Sequence, residues 1–430
     1  MLFDLARFDA ASFQGVPDEA VRQFALPPHG FVRSWVEYML PITDAPLVYH
    51  LGTALGVVST LIPASVILPD GDELPPNLFT MLVGPSTKSR KTHAIAEGRK
   101  ALERVAAHKL MNDDGSGEGF ADAILANSQR LIVSEEGGMF LQHTMTGTYA
   151  SSLRSRLTAA ADCSPVERHT SKRAGKGAVG TLDAKREPNP RVGFLMGCTP
   201  THLEEHTFKL DWEGGFLSRF LILHSRRQRE MPKALLDVEG RVRMDRYLAA
   251  FAKVASVGAC AGMNTEAETY YQAWQRRHSA GANSSNVPSE VEGVLERAQR
   301  HVRKVSLILA YDRHVSRCGQ DPSRMDSLIE QPWSVDLDDV RVGCALGDFH
   351  AASVLHLRRN VSEHAEGQFM RKIRNFVADS ETKTRTFREI VKKMDRNYKT
   401  VAQALDTLCI SGGLVRVGAD SYTLGDGTTS

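Results

Sequence analysis

The sequence has no C-x-x-C pair. Its six cysteines, at 163, 198, 260, 318, 344 and 409, are scattered, with no histidine at zinc-ligand spacing. That pattern offers neither a disulfide framework nor a structural metal, and it suits free thiols in a reducing cytoplasm. Long hydrophobic runs are missing too. The longest apolar stretch, Leu51 to Leu68, is broken by Gly, Ser, Thr and Pro, which fits a buried helix and a strand and not a membrane span. The first residues, MLFDLARFDAASF, lack the basic-then-apolar order of a secretory leader. Charge of one sign is also lacking. Lys and Arg number 53 against 51 Asp and Glu, a net +2, so nucleic-acid contact has to come from local patches. No internal repeat is visible.

What is present is enough for two or three domains: 430 residues, 42% hydrophobic and 24% charged. FVRSWVEYML (31–40) reads as a helix, APLVYHLGTALGVVSTLIP (45–63) as a buried helix, and ASVILP (64–69) as a strand. FTMLVG (79–84) is a strand feeding the helix THAIAEGRKALERVAAHKL (92–110), and MNDDGSGEGF (111–120) is a polar loop. Further apolar strands lie in QRLIVSEEGGMFLQ (129–142), RVGFLMGCTP (191–200) and FLSRFLILHS (216–225). Apolar strands alternating with helices indicate an α/β domain with a mostly parallel sheet. The spacing predicts a helical segment over 1–45, the α/β domain over 46–232, a helical region over 233–358 and a separate unit over 359–430.

Between the first strand and its helix lies GPSTKSRKT, residues 84–92. It approaches the phosphate-loop pattern G-x-x-x-x-G-K-[ST], with one extra residue and Arg90 in place of the second Gly. Gly84, Ser86, Lys88, Ser89 and Arg90 would form the cradle, Lys91 would reach the phosphates, and Thr92 would ligate Mg²⁺. Arg90 fits there only if its backbone keeps to the ordinary helical region, since positive φ is the province of Gly. The bland alternative is a strand–turn–helix with a basic cap.

LIVSEE supplies what such a loop needs opposite it. An apolar strand ends in Glu135 and Glu136, 44 residues or so after the Lys-Thr pair. One acid can hold the metal's water shell (Glu135) and the other can activate the attacking water (Glu136). Thr199, at the end of VGFLMGCTP, could sense the γ-phosphate, or simply end a strand. Arg219 of GGFLSRF could stabilise transition-state charge, or serve a structural ion pair.

GPSTKSRKT, LIVSEEGGMF, VGFLMGCTP and GGFLSRF, in that order, resemble the RecA-like P-loop ATPases of phages, plasmids and mobile elements. These are helicase-like proteins, often linked to primase domains, and the resemblance spans about residues 28–230. It implies ATP and Mg²⁺ as cofactors and a bacterial host cytoplasm as the setting. It assigns Lys91 and Thr92 to phosphate and magnesium, Glu135 to a position where the family more often has Asp, Glu136 to the catalytic acid, Thr199 to the sensor and Arg219 to the finger. It also implies a homo-oligomeric ring, a hexamer, with single-stranded DNA in its channel and a primase or other replication partner.

Two stretches could touch DNA. Between Arg154 and Arg191 stand nine Lys or Arg against four acids, with three glycines. This insert reads as a mobile basic loop, and its Lys172, Arg173, Lys176, Lys185 and Arg186 would grip phosphates without aromatic stacking. A solvated surface insertion is the alternative. Near the end, MRKIRNFVAD, TFREIVKKM and YKTVAQALDTLCISG read as three helices, and GLVRVGADSYTLG as a hairpin. Together they resemble a winged helix-turn-helix. Tyr398, Lys399, Thr400 and Gln403 would face a groove of duplex DNA, and Arg388, Lys392, Lys393 and Arg396 would approach phosphates. Winged helices also serve protein contacts.

The leading expectation is an ATP-driven DNA motor that translocates on or unwinds DNA. A nucleotide-switched DNA-binding initiator or regulator with little turnover is the second reading, and a scaffold with a decayed loop is the third.

Overall fold

The computed structural model describes the chain except for residues 1–4, 70–72, 87–88, 114, 145–147, 172–181, 208–210, 213–214, 227–229, 231–236, 255–256, 285–286, 318–330, 381, 395–397, 411–413, 419 and 425–430. It divides into two compact units, Met1–Leu357 and Arg358–Ser430.

In the first unit the helices are α1 (Phe31–Met39), α2 (Leu47–Leu61), α3 (Lys91–Ala106), α4 (Gly117–Ala126), α5 (Gly137–His143), α6 (Thr148–Ala161), α7 (Pro200–Glu205), α8 (Val238–Lys253), α9 (Thr265–Ala282) and α10 (Ser289–Arg317). The strands are β1 (Phe79–Val83), β2 (Leu110–Asn112), β3 (Gln129–Ser134), β4 (Val166–Ser171), β5 (Leu182–Glu187), β6 (Arg191–Cys198), β7 (Phe220–His224), β8 (Cys260–Met263) and β9 (Trp333–Val335). Helix α11, Leu337–Ala378, begins in this unit and ends in the second.

The fold is mixed α/β around a five-stranded sheet in the order β2-β3-β6-β1-β7. Every neighbouring pair in that sheet is parallel. Parallel strands need helices on both faces, and so they read as continuous apolar runs. Successive side chains go to opposite faces. Leu82, Leu195 and Leu223 join one core with α1, α2, α3 and α8. Met81, Phe194, Met196, Phe220 and Ile222 join the other with α4, α5 and α6. On that second face Phe194 packs edge-on to Phe79 and Phe140, at centroid distances of 5.7 and 5.2 Å.

All fifteen residues of α2 are buried, as expected of a helix that is apolar on every side. Its Leu47 N–H donates to Asp18 Oδ1 at 2.9 Å, so another segment caps it. Helix α1 is capped in the same long-range manner. The N–H groups of Phe31 and Val32 donate to the buried Asp312 carboxylate at 2.7 and 2.9 Å.

Four local expectations are corrected. Residues 64–69 form no strand, only a bridge between Leu68 and Leu74, because Pro63 and Pro69 flank the run and supply no donors. Residues 111–120 hold the end of β2 and the start of α4, whose N-cap Ser116 accepts from Gly119 N–H at 3.1 Å. The basic insert is not all loop. Strands β4 and β5 pair antiparallel, with Arg168 opposite Lys185 and Glu167 opposite Arg186. A parallel pair of β8 and β9 also lies within the stretch expected to be helical.

The second unit adds β10 (Thr384–Thr386), α12 (Phe387–Met394), α13 (Tyr398–Ile410), β11 (Leu414–Val417) and β12 (Ser421–Leu424). Its strands form an antiparallel sheet in the order β10-β12-β11. Ile373, Val377, Ile390, Val401, Leu405, Leu408, Leu414 and Tyr422 make its core. Among the described residues no helix is long and apolar enough to cross a membrane.

Candidate functional site

Val83 is level with Cys198 and His224, and Ser134 with Met196. The carboxyl ends of β1, β3, β6 and β7 therefore open on one edge of the sheet. From β1 the chain crosses past β6 and β3 to β2, while β7 lies on the other side of β1. A crevice at such a reversal is where open α/β sheets bind ligands.

The loop 84–90 sits at this edge, with Thr87 and Lys88 outside the described residues. Gly84 N–H donates to Cys198 O at 3.1 Å, tying the loop to β6. A Cβ on Gly84 would lie 2.3 Å from the Tyr49 hydroxyl and 2.7 Å from the Ser225 carbonyl oxygen, so glycine is required here for close approach. Ser89 is fully buried, and its hydroxyl donates to Pro85 O at 2.8 Å. Ser86 is exposed.

Lys91 opens α3 and is only 7% exposed. Its ammonium donates back into the loop, to Pro85 O at 3.4 Å. Burial lowers its pKa, and the nearby Glu136 carboxylate opposes that shift. Pro85 after β1, Cys198 at the end of β6 and Glu136 after β3 thus share the edge where Lys91 stands. Thr92 is half-buried on the next position. The Cys198 thiol is pushed up to about 12, by burial first, so it is an inert neighbour.

Arg90 corrects the expectation for its backbone. It lies at φ 53°, ψ 22°, in the left-handed region, and it is the N-cap of α3. The turn that glycine usually makes is kept, with an arginine in it. The guanidinium turns to Asp44, with Nε 3.1 Å from Oδ1 and 3.3 Å from Oδ2.

The two acids differ. Glu136 is exposed at the end of β3 and is the N-cap of α5. Glu135 is half-buried, with Oε1 3.6 Å from Arg99 Nη1 on α3. The Gly137-Gly138 pair that follows is needed for packing, since a Cβ on Gly138 would fall 1.9 Å from His202 Nδ1. Thr199 stands at the same sheet edge, but its hydroxyl accepts from His202 N–H at 3.1 Å and caps α7.

Arg219 lies elsewhere. It immediately precedes β7, so in this parallel sheet it sits at the amino edge, about 16 Å of strand from the loop edge. Its Nη2 is 2.9 Å from Asp162 Oδ2, it also donates to Gly215 O, and Arg297 shares the same carboxylate. The two arginines hold the Asp162 carboxyl below its ordinary pKa, against burial as the largest single effect. This is a structural ion cluster within one chain.

Of the expected DNA contacts, Lys172, Arg173, Lys176 and Arg396 lie outside the described residues. On the β4–β5 pair, Lys185 is exposed, Arg186 pairs with Glu167 at 3.2 Å and Arg168 pairs with Asp122. In the second unit Arg388, Lys392, Lys399 and Gln403 are all exposed. The first two are four residues apart on α12 and the last two four apart on α13, so each pair shares a helix face.

Sequence reasoning missed Asp44, Tyr49 and Arg99. Tyr49 carried a signal: it is one of the few polar side chains in a helix that is otherwise small and apolar, and a buried tyrosine hydroxyl seeks a partner. No protein-family model matches the chain, and no curated protein matches it.

Proposed function

We propose that the first unit binds and hydrolyses ATP at the 84–92 loop, as a RecA-like P-loop ATPase, and that the chain is a DNA motor. The observation that carries this reading is that Lys91 and Glu136 stand at the same carboxyl edge of the parallel sheet. A buried lysine at the start of the helix after a central parallel strand lies in the field of an acid from β3, one strand removed. Helix amides and lysine suit phosphate, and the acid suits activation of water. Thr92 would ligate Mg²⁺ and Glu135 would hold its water shell. The ion would neutralise phosphate charge, and Glu135 would have to loosen its contact with Arg99 to serve it.

The second unit fits a winged helix-turn-helix, with α13 as the reading helix and β11–β12 as the wing. Its exposed Arg388, Lys392, Lys399 and Gln403 suit duplex contact. A ring of six is supported by resemblance alone, because Arg219 is held by Asp162 and offers no finger.

That same engagement favours a second reading, a nucleotide-switched DNA-binding initiator or regulator with slow turnover. Steady-state ATP hydrolysis with and without single-stranded DNA separates the two. Stimulated turnover lost in Glu136→Gln supports the motor. Lys91-dependent binding without turnover supports the switch.

A further inference from the structure

Asp44 is 1% exposed, two residues before the Pro46 that caps α2. Its carboxylate holds Nε of Arg90 at 3.1 and 3.3 Å. Arg90 in turn occupies the left-handed region at φ 53°, directly before Lys91, with no side-chain capping bond of its own. Its carbonyl accepts the bond from Ala94 N–H at 3.1 Å that starts α3.

These observations belong together. A left-handed turn just before the lysine swings the loop back over the helix N-terminus. Glycine takes that conformation without cost, whereas any residue with a Cβ is driven out of it by the following carbonyl. The chain has an arginine at this position, and the arginine stays in the turn. Asp44 is fixed by burial on a different element, so its grip on the guanidinium ties residue 90 to the α2 side of the site. The Arg90 side chain is itself 46% exposed, so the anchoring end is the carboxylate.

We propose that Asp44 is a positioning residue for the phosphate loop, acting through Arg90: the ion pair holds residue 90 in the conformation glycine would adopt freely. Arg90 then shapes the loop and is not a phosphate ligand. The proposal rests on the nucleotide-binding reading above.

The test is titration of the full chain with a fluorescent ATP analogue and Mg²⁺, with thermal melting of each variant as a folding control. Wild type and Lys91→Ala are the reference pair. Asp44→Asn keeps the shape and removes the charge, and it weakens binding about tenfold. Arg90→Ala weakens it equally, because alanine keeps the Cβ and loses the anchor. Arg90→Gly binds as well as wild type or better, and Asp44→Asn has no further effect in the Arg90→Gly background. That rescue is something a merely structural role would not give. Should the Asp44 variants fail to fold, Arg90→Ala against Arg90→Gly decides alone.

Equal losses from Asp44→Asn in both backgrounds, no loss at all, or a steep loss in Arg90→Gly overturns the proposal. Absence of Lys91-dependent binding in the reference pair overturns it as well. That failure is recognisable as a failure of the nucleotide reading, because it shows before Asp44 or Arg90 is changed.

Discussion

The hydroxyl of Tyr49 lies 2.6 Å from the carbonyl oxygen of Val83, on a helix that is buried along its whole length. The same hydroxyl is 2.8 Å from Ser225 O and 3.3 Å from Ser225 N. One buried phenol on α2 therefore joins the last residue of β1, the residue after β7 and, through its crowding of Gly84, the start of the 84–90 loop. Burial raises its pKa above the ordinary range, so it stays a neutral donor.

Tyr49→Phe removes that buried donor with little change of shape. The expected loss of unfolding free energy is about 1–3 kcal/mol. Urea unfolding followed by circular dichroism reads it directly. A change inside experimental error would mean that the hydroxyl contributes no net stability.

Arg219 and Asp162 make a second, independent prediction. If Arg219 serves the Asp162–Arg297 cluster, Arg219→Ala and Asp162→Ala each lower stability by about 1–2 kcal/mol, the partial exposure of the cluster moderating the loss. The double variant should lose less than the sum. Turnover lost in Arg219→Ala at unchanged melting temperature would restore the finger role.

Much of this was legible in the sequence, for physical reasons. Strands buried on both faces leave unbroken apolar runs, so β1, β3, β6 and β7 could be read, and Gly84, Lys91 and the acid pair marked the edge. The left-handed turn at Arg90 could not be read. It depends on Asp44, 46 positions earlier, and the local preference of arginine argues against it. Strands β4 and β5 escaped notice because charged residues stand on both their faces. The place of Arg219 was available too: an arginine before a strand of a parallel sheet falls at the edge away from the loop.

Buried histidines set a pH dependence. His224 is held down to about 3 by burial, then by His356 and Arg226, and His350 to about 4 by burial, then by His278. His301, also buried, lies well below its ordinary value. Each folded pKa is below the unfolded one, so the stability these groups hold is complete above about pH 6.5 and is lost as pH falls toward 4. Asp312 acts oppositely. Burial raises it to about 6, so its stabilisation is complete below the unfolded value and is lost as pH rises through 6. With His278 also lowered and Asp339 also raised by burial, four histidines outweigh two carboxyls, and unfolding free energy should rise between pH 4.5 and 6.5, by about 1.4 kcal/mol per pH unit for each unopposed group. Urea midpoints over that range test this, and His224→Phe should flatten the slope. Stability independent of pH there would contradict it.

The second unit predicts a salt signature. If Arg388 and Lys392 contact phosphates, Arg388→Ala and Lys392→Ala in the full chain each reduce the slope of log K against log[salt] for duplex DNA by about 0.9. Fluorescence anisotropy at several salt concentrations measures this. An unchanged slope would assign that face of α12 to another partner.

The central claim is that Lys91 holds nucleotide phosphates at the carboxyl edge of the parallel sheet. Equilibrium titration of wild type and Lys91→Ala with ATP and Mg²⁺ tests it most directly. The account predicts saturable binding in wild type and at least a tenfold loss in Lys91→Ala at unchanged melting temperature. Equal binding by the two, or none by wild type, would contradict it.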